Sequence, residues 1–394
     1  MKNGKTIFIV STLFAFILFC SYTNEQKNPV EQQKINIDTY NALNYSIDSI
    51  GGEINRHQRE VNSATNEIEK CKREKNALKS ECEEAKKVSI SDTIKSKIDS
   101  LFKAKNNCEG LSEKLKAYDK NVSKLEAEIE KQNQVIKKLE TGQSVIKEQL
   151  KAEIRNINKN IKNLDGSFLL RFKGVDYNIY ISNSDSNAIK MHLLNKDGRN
   201  FASIRNLQGY LISQKQTPLM ITNAGMYTHS LQPQGLFIEN KKEQHSIDLS
   251  SPKTDANFYL KPNGVFYVDT LGKAHIETSE DFQKLYESKS IVVEFATQSG
   301  PMLVSNGETH PAFKSGSQNK KIRSGVGIID SKKTAFAISL DEANFYDFAI
   351  LFRDIFGCKD ALFLDGAISL MYLKDIAPNT LGGQFGPLIS VTDK

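Results

Sequence analysis

Residues 361–369 read ALFLDGAIS: an apolar run, Ala361 to Leu364, that ends in the carboxylate of Asp365 and passes at once into Gly366 and Ala367. An ionised carboxylate is costly to bury without partners, so one at the tip of a core strand either caps a turn or does chemistry. Just upstream, Phe345, Phe348, Ala349, Phe352, Ile355 and Phe356 fall at helical spacings before a stop at Gly357, which makes ALFL a strand entered from an amphipathic helix. Working back to residue 166, the texture is the same: SFLLRFKGVDYNIYIS, PLMITNAGMY, NFYLKPNGVFYVD, IVVEFATQSGPMLVSNG and TAFAISL are β-branched and aromatic runs parted by glycine, asparagine or lysine turns. Residues 166–394 therefore read as one α+β domain, mostly β-sheet with a few helices, long enough for a sizeable core.

The preceding segment, 43–164, has a different period. Ile47, Ile50, Ile54, His57, Val61, Ala64, Ile68, Cys71, Lys75 and Leu78 follow alternating steps of three and four. A second stripe runs through Leu115, Tyr118, Val122, Leu125, Ile129, Gln132, Ile136, Leu139, Gln143, Ile146 and Leu150, then shifts to Ile154, Ile157, Ile161 and Leu164. Between them KKVSISDTI offers Ser91 or Asp92 as a helix cap. The pattern predicts a long coiled-coil hairpin, with a continuous rod that self-associates or takes a coiled-coil partner as the competing arrangement. A reversal near residues 89 and 90 would make Cys71 and Cys108 cross-helix neighbours, either as two core thiols or as a disulfide. His57, on the seam, reads as a register residue.

Residues 1–20 stand apart. Lys2 and Lys5 precede an apolar run, Ile7 to Phe19, of secretory length, closed by Cys20. FILFC is similar to the end of a lipoprotein signal with Cys20 as lipid attachment, although Phe19 stands where a small residue is usual. An ordinary signal or an uncleaved anchor with a free cysteine is the alternative. Each places the remainder, past a linker at 21–42, outside the cytoplasm, and the lipoprotein and anchor readings hold it in the cell envelope at the membrane through its N-terminus. Net charge is a mild +6, with 39% hydrophobic and 25% charged residues. No dense Lys/Arg block with interleaved aromatics points to nucleic acid.

Within 166–394, polar side chains recur beside glycine at strand ends: Asn223-Ala224-Gly225, Gln298-Ser299-Gly300, Arg323-Ser324-Gly325 and Asp365-Gly366. Singly, each reads as a turn or bulge. Together they can line one cleft, glycine permitting close backbone approach. Other schemes find less support: no G-x-S-x-G elbow surrounds a serine, and His57, His192, His229, His245, His275 and His310 show no metal-ligand spacing. His229, just after NAGMY, can border the cleft. Cys358 reads as a buried thiol, LGGQFGP lacks the lysine of a phosphate loop, and no cofactor or metal is expected.

The ordered set NAGMY, PQGLFIEN, NFYLKPNGVFY, TQSGPMLV, IRSGVGI and ALFLDGAIS resembles the phosphodiester glycosidase domain, over most of residues 170–394 and none of the helical segment. It departs from that family where Ala224 and Ala367 replace a common second glycine. The resemblance implies hydrolysis of a sugar 1-phosphodiester to free sugar and a phosphate monoester. That leaving group is already good, so one carboxylate with one cation suits it better than two carboxylic acids. On this reading Asp365, Arg323 and Asn223 are the catalytic set, with Asp365 facing an Arg323 that forks onto the phosphate. Gln298, Gly300, Gly225 and Gly366 would border the substrate, Tyr227 offer a ring face, Ser369 orient Asp365 or touch phosphate, and Glu239 stand as reserve carboxylate. The competing classes are a non-catalytic envelope module that binds a glycan or phosphate polymer, and a phosphodiesterase that cuts phosphorus to oxygen.

Overall fold

The computed structural model describes residues 37–86, 94–252, 256–365, 368–376 and 381–394. The chain divides into two compact units. Tyr40–Lys151 forms one. Ala152–Lys394, with the described residues before Tyr40, forms the other.

The helical unit is a hairpin of α1 (Asp38–Lys86) and the greater part of α2 (Ile94–Ile161). Its register is antiparallel. The Gln143 amide donates to the Ile47 carbonyl at 3.2 Å, His57 Nδ1 meets Gln132 Oε1 at 2.6 Å, and Lys75 pairs with Asp119. Every seam position quoted above from Ile47 to Leu78 is at least partly buried, as are those from Leu115 to Leu150, so the two stripes face each other within one chain. His57 is a register residue, as its seam position requires. Cys71 is a free thiol whose cross-helix neighbour is Tyr118, not Cys108. Ten residues of helix, about 15 Å, separate those two positions of α2. The proposed caps Ser91 and Asp92 lie outside the described residues.

The second unit begins with the last turns of α2. Ile157 and Ile161 are fully buried there, and Asn158 Nδ2 donates to the Asp354 and Ile355 carbonyls at 2.7 and 3.0 Å. Then come β1 (Gly166–Phe172), β2 (Val175–Asn183), β3 (Asn187–His192), α3 (Ile204–Ser213) and β4 (Pro218–Asn223). The middle holds β5 (Phe237–Glu239), β6 (Lys242–His245), β7 (Gly264–Asp269), β8 (Ala274–Thr278), α4 (Ser279–Glu287), β9 (Val293–Ser299), β10 (Met302–Ser305) and β11 (Glu308–Thr309). The last part adds β12 (Lys320–Lys321), β13 (Ser324–Ile328), β14 (Lys333–Ser339), β15 (Ala343–Asn344), α5 (Phe345–Ile350), β16 (Asp360–Asp365), β17 (Met371–Leu373) and β18 (Leu388–Asp393).

Among the described residues three larger antiparallel sheets result, in the orders β1-β2-β14-β13-β16-β10-β11, β17-β4-β18-β3 and β6-β5-β9-β7-β8, with β12 and β15 forming a separate two-stranded pair. One apolar cluster joins them: Phe336 and Leu362 from the first, Met220 and Ile389 from the second, Phe266 and Phe295 from the third. The quoted ALFL run is β16, central in its sheet, with Ala361 to Leu364 at most 1% exposed. Its upstream helix is α5, capped by Asn344 accepting from the Asp347 amide, and continues as one wide turn, Leu351–Ile355, before Gly357 at φ +69°. A β-carbon at Gly357 would sit 2.8 Å from the Asn158 side chain, so glycine serves both the turn and the close approach of α2.

Candidate active site

The C-terminal ends of β4, β9 and β16 and the N-terminal end of β13 meet. At their junction Asn223, with no exposed surface, donates from Nδ2 to the Ser324 hydroxyl at 3.0 Å, and its Oδ1 accepts from the Leu370 amide at 3.3 Å. Ser324 Oγ lies 3.1 Å from the Asp365 carbonyl, 3.3 Å from the Asp365 amide and 2.9 Å from the Ser369 hydroxyl. A hydroxyl has one proton and two lone pairs, so it cannot serve four neighbours at once. Ser369 is only partly buried, and its hydroxyl is able to turn toward a ligand. From β9, the Ser299 hydroxyl donates to the Leu364 carbonyl at 2.7 Å, tying the third sheet to the residue before Asp365.

The aim of Asp365 is set by a bulge. Gly325 pairs with Phe363, whereas Ser324 pairs with Asp365, so Leu364 is an extra residue in β16. In an unbroken strand Asp365 would share the face of Phe363. The inserted residue turns it to the face of Ser324. This separates it from Arg323, which precedes Ser324 in extended chain and points to the other face. There the guanidinium is 1% exposed, stacks 3.5 Å from the Phe345 ring centre, and donates to the Ala343 and Asn319 carbonyls at 2.7 and 3.0 Å. Arg323 is thus sealed in the wall and does not face Asp365, contrary to the reading from sequence.

Gln298 also departs from its expected role. Its Oε1 accepts from the Leu236 and Asp248 amides at 3.0 and 2.9 Å, and its Nε2 donates to the Asp248 carbonyl and Ser279 hydroxyl at 2.7 and 3.0 Å. An amide so occupied is a strut and has no bond left for substrate. Gly300 and Gly225 are close-packing positions. A β-carbon at Gly300 would lie 2.6 Å from that of Asn263, and one at Gly225 would meet the Gln298 carbonyl and, at 2.6 Å, Thr297 Oγ1. The Gly225 amide donates to the same Thr297 hydroxyl at 3.0 Å. Glu239 sits elsewhere. It follows Ile238, paired with Ala296, and so falls opposite Phe295, about 13 Å along β9 from Ser299. Burial raises its pKa, offset in part by the Gln244 amide at 2.9 Å. Gly366 and Cys20 lie outside the described residues.

Residues 216–385 match the family described as phosphodiester glycosidase. The uncharacterized protein YigE of Escherichia coli (strain K12) is 34% identical over 217 residues, 55% of this chain and 81% of that one. The chain belongs to the phosphodiester glycosidase family. No solved structure matches it. The matched span contains Asn223, Ser324, Asp365 and Ser369, and leaves out the helical hairpin.

Tyr227 lies close enough to Asp365 to feel its charge. Burial first, then the charge of Asp365, push its hydroxyl up to about 12, so it stays protonated at neutral pH and donates to the Gln384 carbonyl at 2.8 Å. That bond occupies the proton and orients the ring. The site thereby presents one partly buried carboxylate, held at its own amide and carbonyl by Ser324, near a fixed aromatic ring and a reorientable serine. Ser324 was overlooked in the sequence because its neighbour Arg323 carried the more obvious chemistry. The signal was the alternation of the strand, in which only one of the two can face Asp365. Among the described residues there is no group of three or more His, Cys, Asp or Glu placed to hold a metal ion.

Proposed function

We propose that the protein hydrolyses a sugar 1-phosphodiester, with Asp365 directed at the anomeric carbon. The bond from that carbon to the phosphate oxygen breaks, the phosphate monoester leaves with the electron pair, and water supplies the oxygen added to the sugar. A carboxylate stabilises the positive charge that develops on the sugar ring, and the leaving group needs little protonation. The observation that carries this reading is the bulge before Asp365, which aims it away from Arg323 and onto the Asn223–Ser324–Ser369 network in a chain of this family.

The test is turnover of a panel of sugar 1-phosphodiesters in ¹⁸O-water. Label in the released sugar, with an Asp365→Asn variant slowed about 10³-fold at unchanged thermal stability, is the expected result. Label in the phosphate would instead mean attack at phosphorus, and binding without turnover would leave a recognition module.

The lysines and apolar run ahead of Cys20 support an envelope location with attachment to the membrane at that cysteine, and the hairpin supports a role as spacer or as an arm for a coiled-coil partner. No helix among the described residues is long and apolar enough to cross a membrane. Acylation is read directly by mass spectrometry of the purified protein.

A further inference from the structure

Arg323, Gln298 and Gly300, which make no contact of the kind the sequence suggested, share another office: each braces a wall of one pocket. A cavity of about 370 Å³ opens between residues 256–260, residues 312–319 and the start of α5, a volume within the range of small-ligand sites. Gly300 packs against the Phe258 carbonyl, and Gln298 holds the main chain of Asp248, whose Oδ2 accepts from the Tyr259 hydroxyl at 3.1 Å. Arg323 fixes the Asn319 carbonyl and underlies Phe345, against whose other side Phe313 stacks at 4.8 Å. Tyr259, Phe313 and Tyr346 give the cavity apolar surface, and Asn257 and Asn319 give it amides.

Its charge is one-sided. Among the described residues no Asp or Glu lines the cavity, and Lys314, exposed on its loop, is the single charged side chain that does. Behind the wall lies a second cation. The buried Arg323 donates to two carbonyls and is flanked by the rings of Phe345 and Phe363, 3.5 and 5.7 Å from its central carbon. Asp347, on the helix of Phe345, is engaged by Lys173 at 2.9 Å. Burial lowers the arginine only to about 10, so it is charged at neutral pH. Buried charges are ordinarily matched by an opposite one. A guanidinium solvated by dipoles and rings leaves a positive field in the adjoining space, where low-dielectric walls screen it poorly.

We propose that this pocket is a binding subsite for a phosphorylated sugar, with Lys314 contacting the phosphate and the aromatic walls taking the C–H face of the ring. The proposal rests on the glycosidase reading for the identity of the ligand, and the chain runs from one place toward the other: Ser299, bonded to the residue before Asp365, is followed by Gly300, which packs against the Phe258 carbonyl behind the lining residues Asn257 and Tyr259.

The test is calorimetric titration of the full chain with α-glucose 1-phosphate and with neutral methyl α-glucoside. A charge-assisted contact predicts that the phosphate binds about tenfold or more tighter, that Lys314→Glu removes this advantage, and that Lys314→Arg and Asp365→Asn keep it. Equal affinity for the two sugars, no binding of the phosphate by the wild type, or unchanged binding by Lys314→Glu would overturn the proposal. Turnover separates it from the glycosidase reading. Lysine-dependent binding without hydrolysis of any sugar phosphodiester leaves the pocket standing and removes the reaction, whereas hydrolysis with a KM indifferent to Lys314→Glu does the reverse.

Discussion

Ser324 carries more of the candidate site than its size suggests. Its hydroxyl stands between Asn223 from one sheet, both main-chain groups of Asp365 from another, and Ser369 from the segment that follows. Alanine there leaves the Asn223 amide without its partner in a place no water reaches, at a cost of about 1–3 kcal/mol. We therefore expect Ser324→Ala to lower the urea midpoint and to reduce kcat with little change in KM, because the lost contact orients the carboxylate and does not touch substrate. A variant with normal stability and kcat would remove the network from the mechanism. Arg323, one residue earlier, is the contrast: more chemically conspicuous, and turned into the wall by the alternation of the strand.

At the scale of elements, the ends of β9 and β16 show what was legible and what was not. The apolar strand, the amphipathic helix before it and the polar-glycine pattern at strand tips were all readable, because each is a local property of period and composition. The heptad stripes were readable for the same reason, and their burial in α1 and α2 follows them position by position. The bulge in β16 was not, since it exists only in the register of one strand against its partner. The saturation of Gln298 was hidden likewise, as its four bonds go to residues 19 to 62 positions away. That saturation yields a discriminating prediction. Gln298→Met fills a similar volume but orphans the Leu236 and Asp248 amides, so it should cost roughly 3 kcal/mol or more in thermal unfolding. A side chain that held substrate would instead raise KM at unchanged stability.

Across the whole sheet unit, three sheets close on one core and leave almost no room for a charge, which makes the fold sensitive to acid at a particular residue. His192, on β3, is 8% exposed, with Nε2 2.8 Å from the Ser390 hydroxyl of β18 and its ring edge-on to Phe201. Burial, with a smaller push from Lys190, draws its pKa down to about 3. The folded value therefore lies below the unfolded one of about 6.5, and protonation favours the unfolded chain. The stability that the neutral ring represents is complete above about pH 6.5 and drains away as pH falls toward 3, by about 1.4 kcal/mol per pH unit at most. Carboxylates titrate over the lower part of the same window, so the wild type alone does not isolate the effect. His192→Gln keeps a hydrogen-bonding group for Ser390 and cannot take up the proton. Between pH 7 and 4.5 the wild type should lose about 2–3 kcal/mol more than this variant in urea unfolding followed by near-ultraviolet circular dichroism. Equal losses would mean that the ring reaches water in the folded state and that the junction of β3 with β18 is looser than its packing indicates.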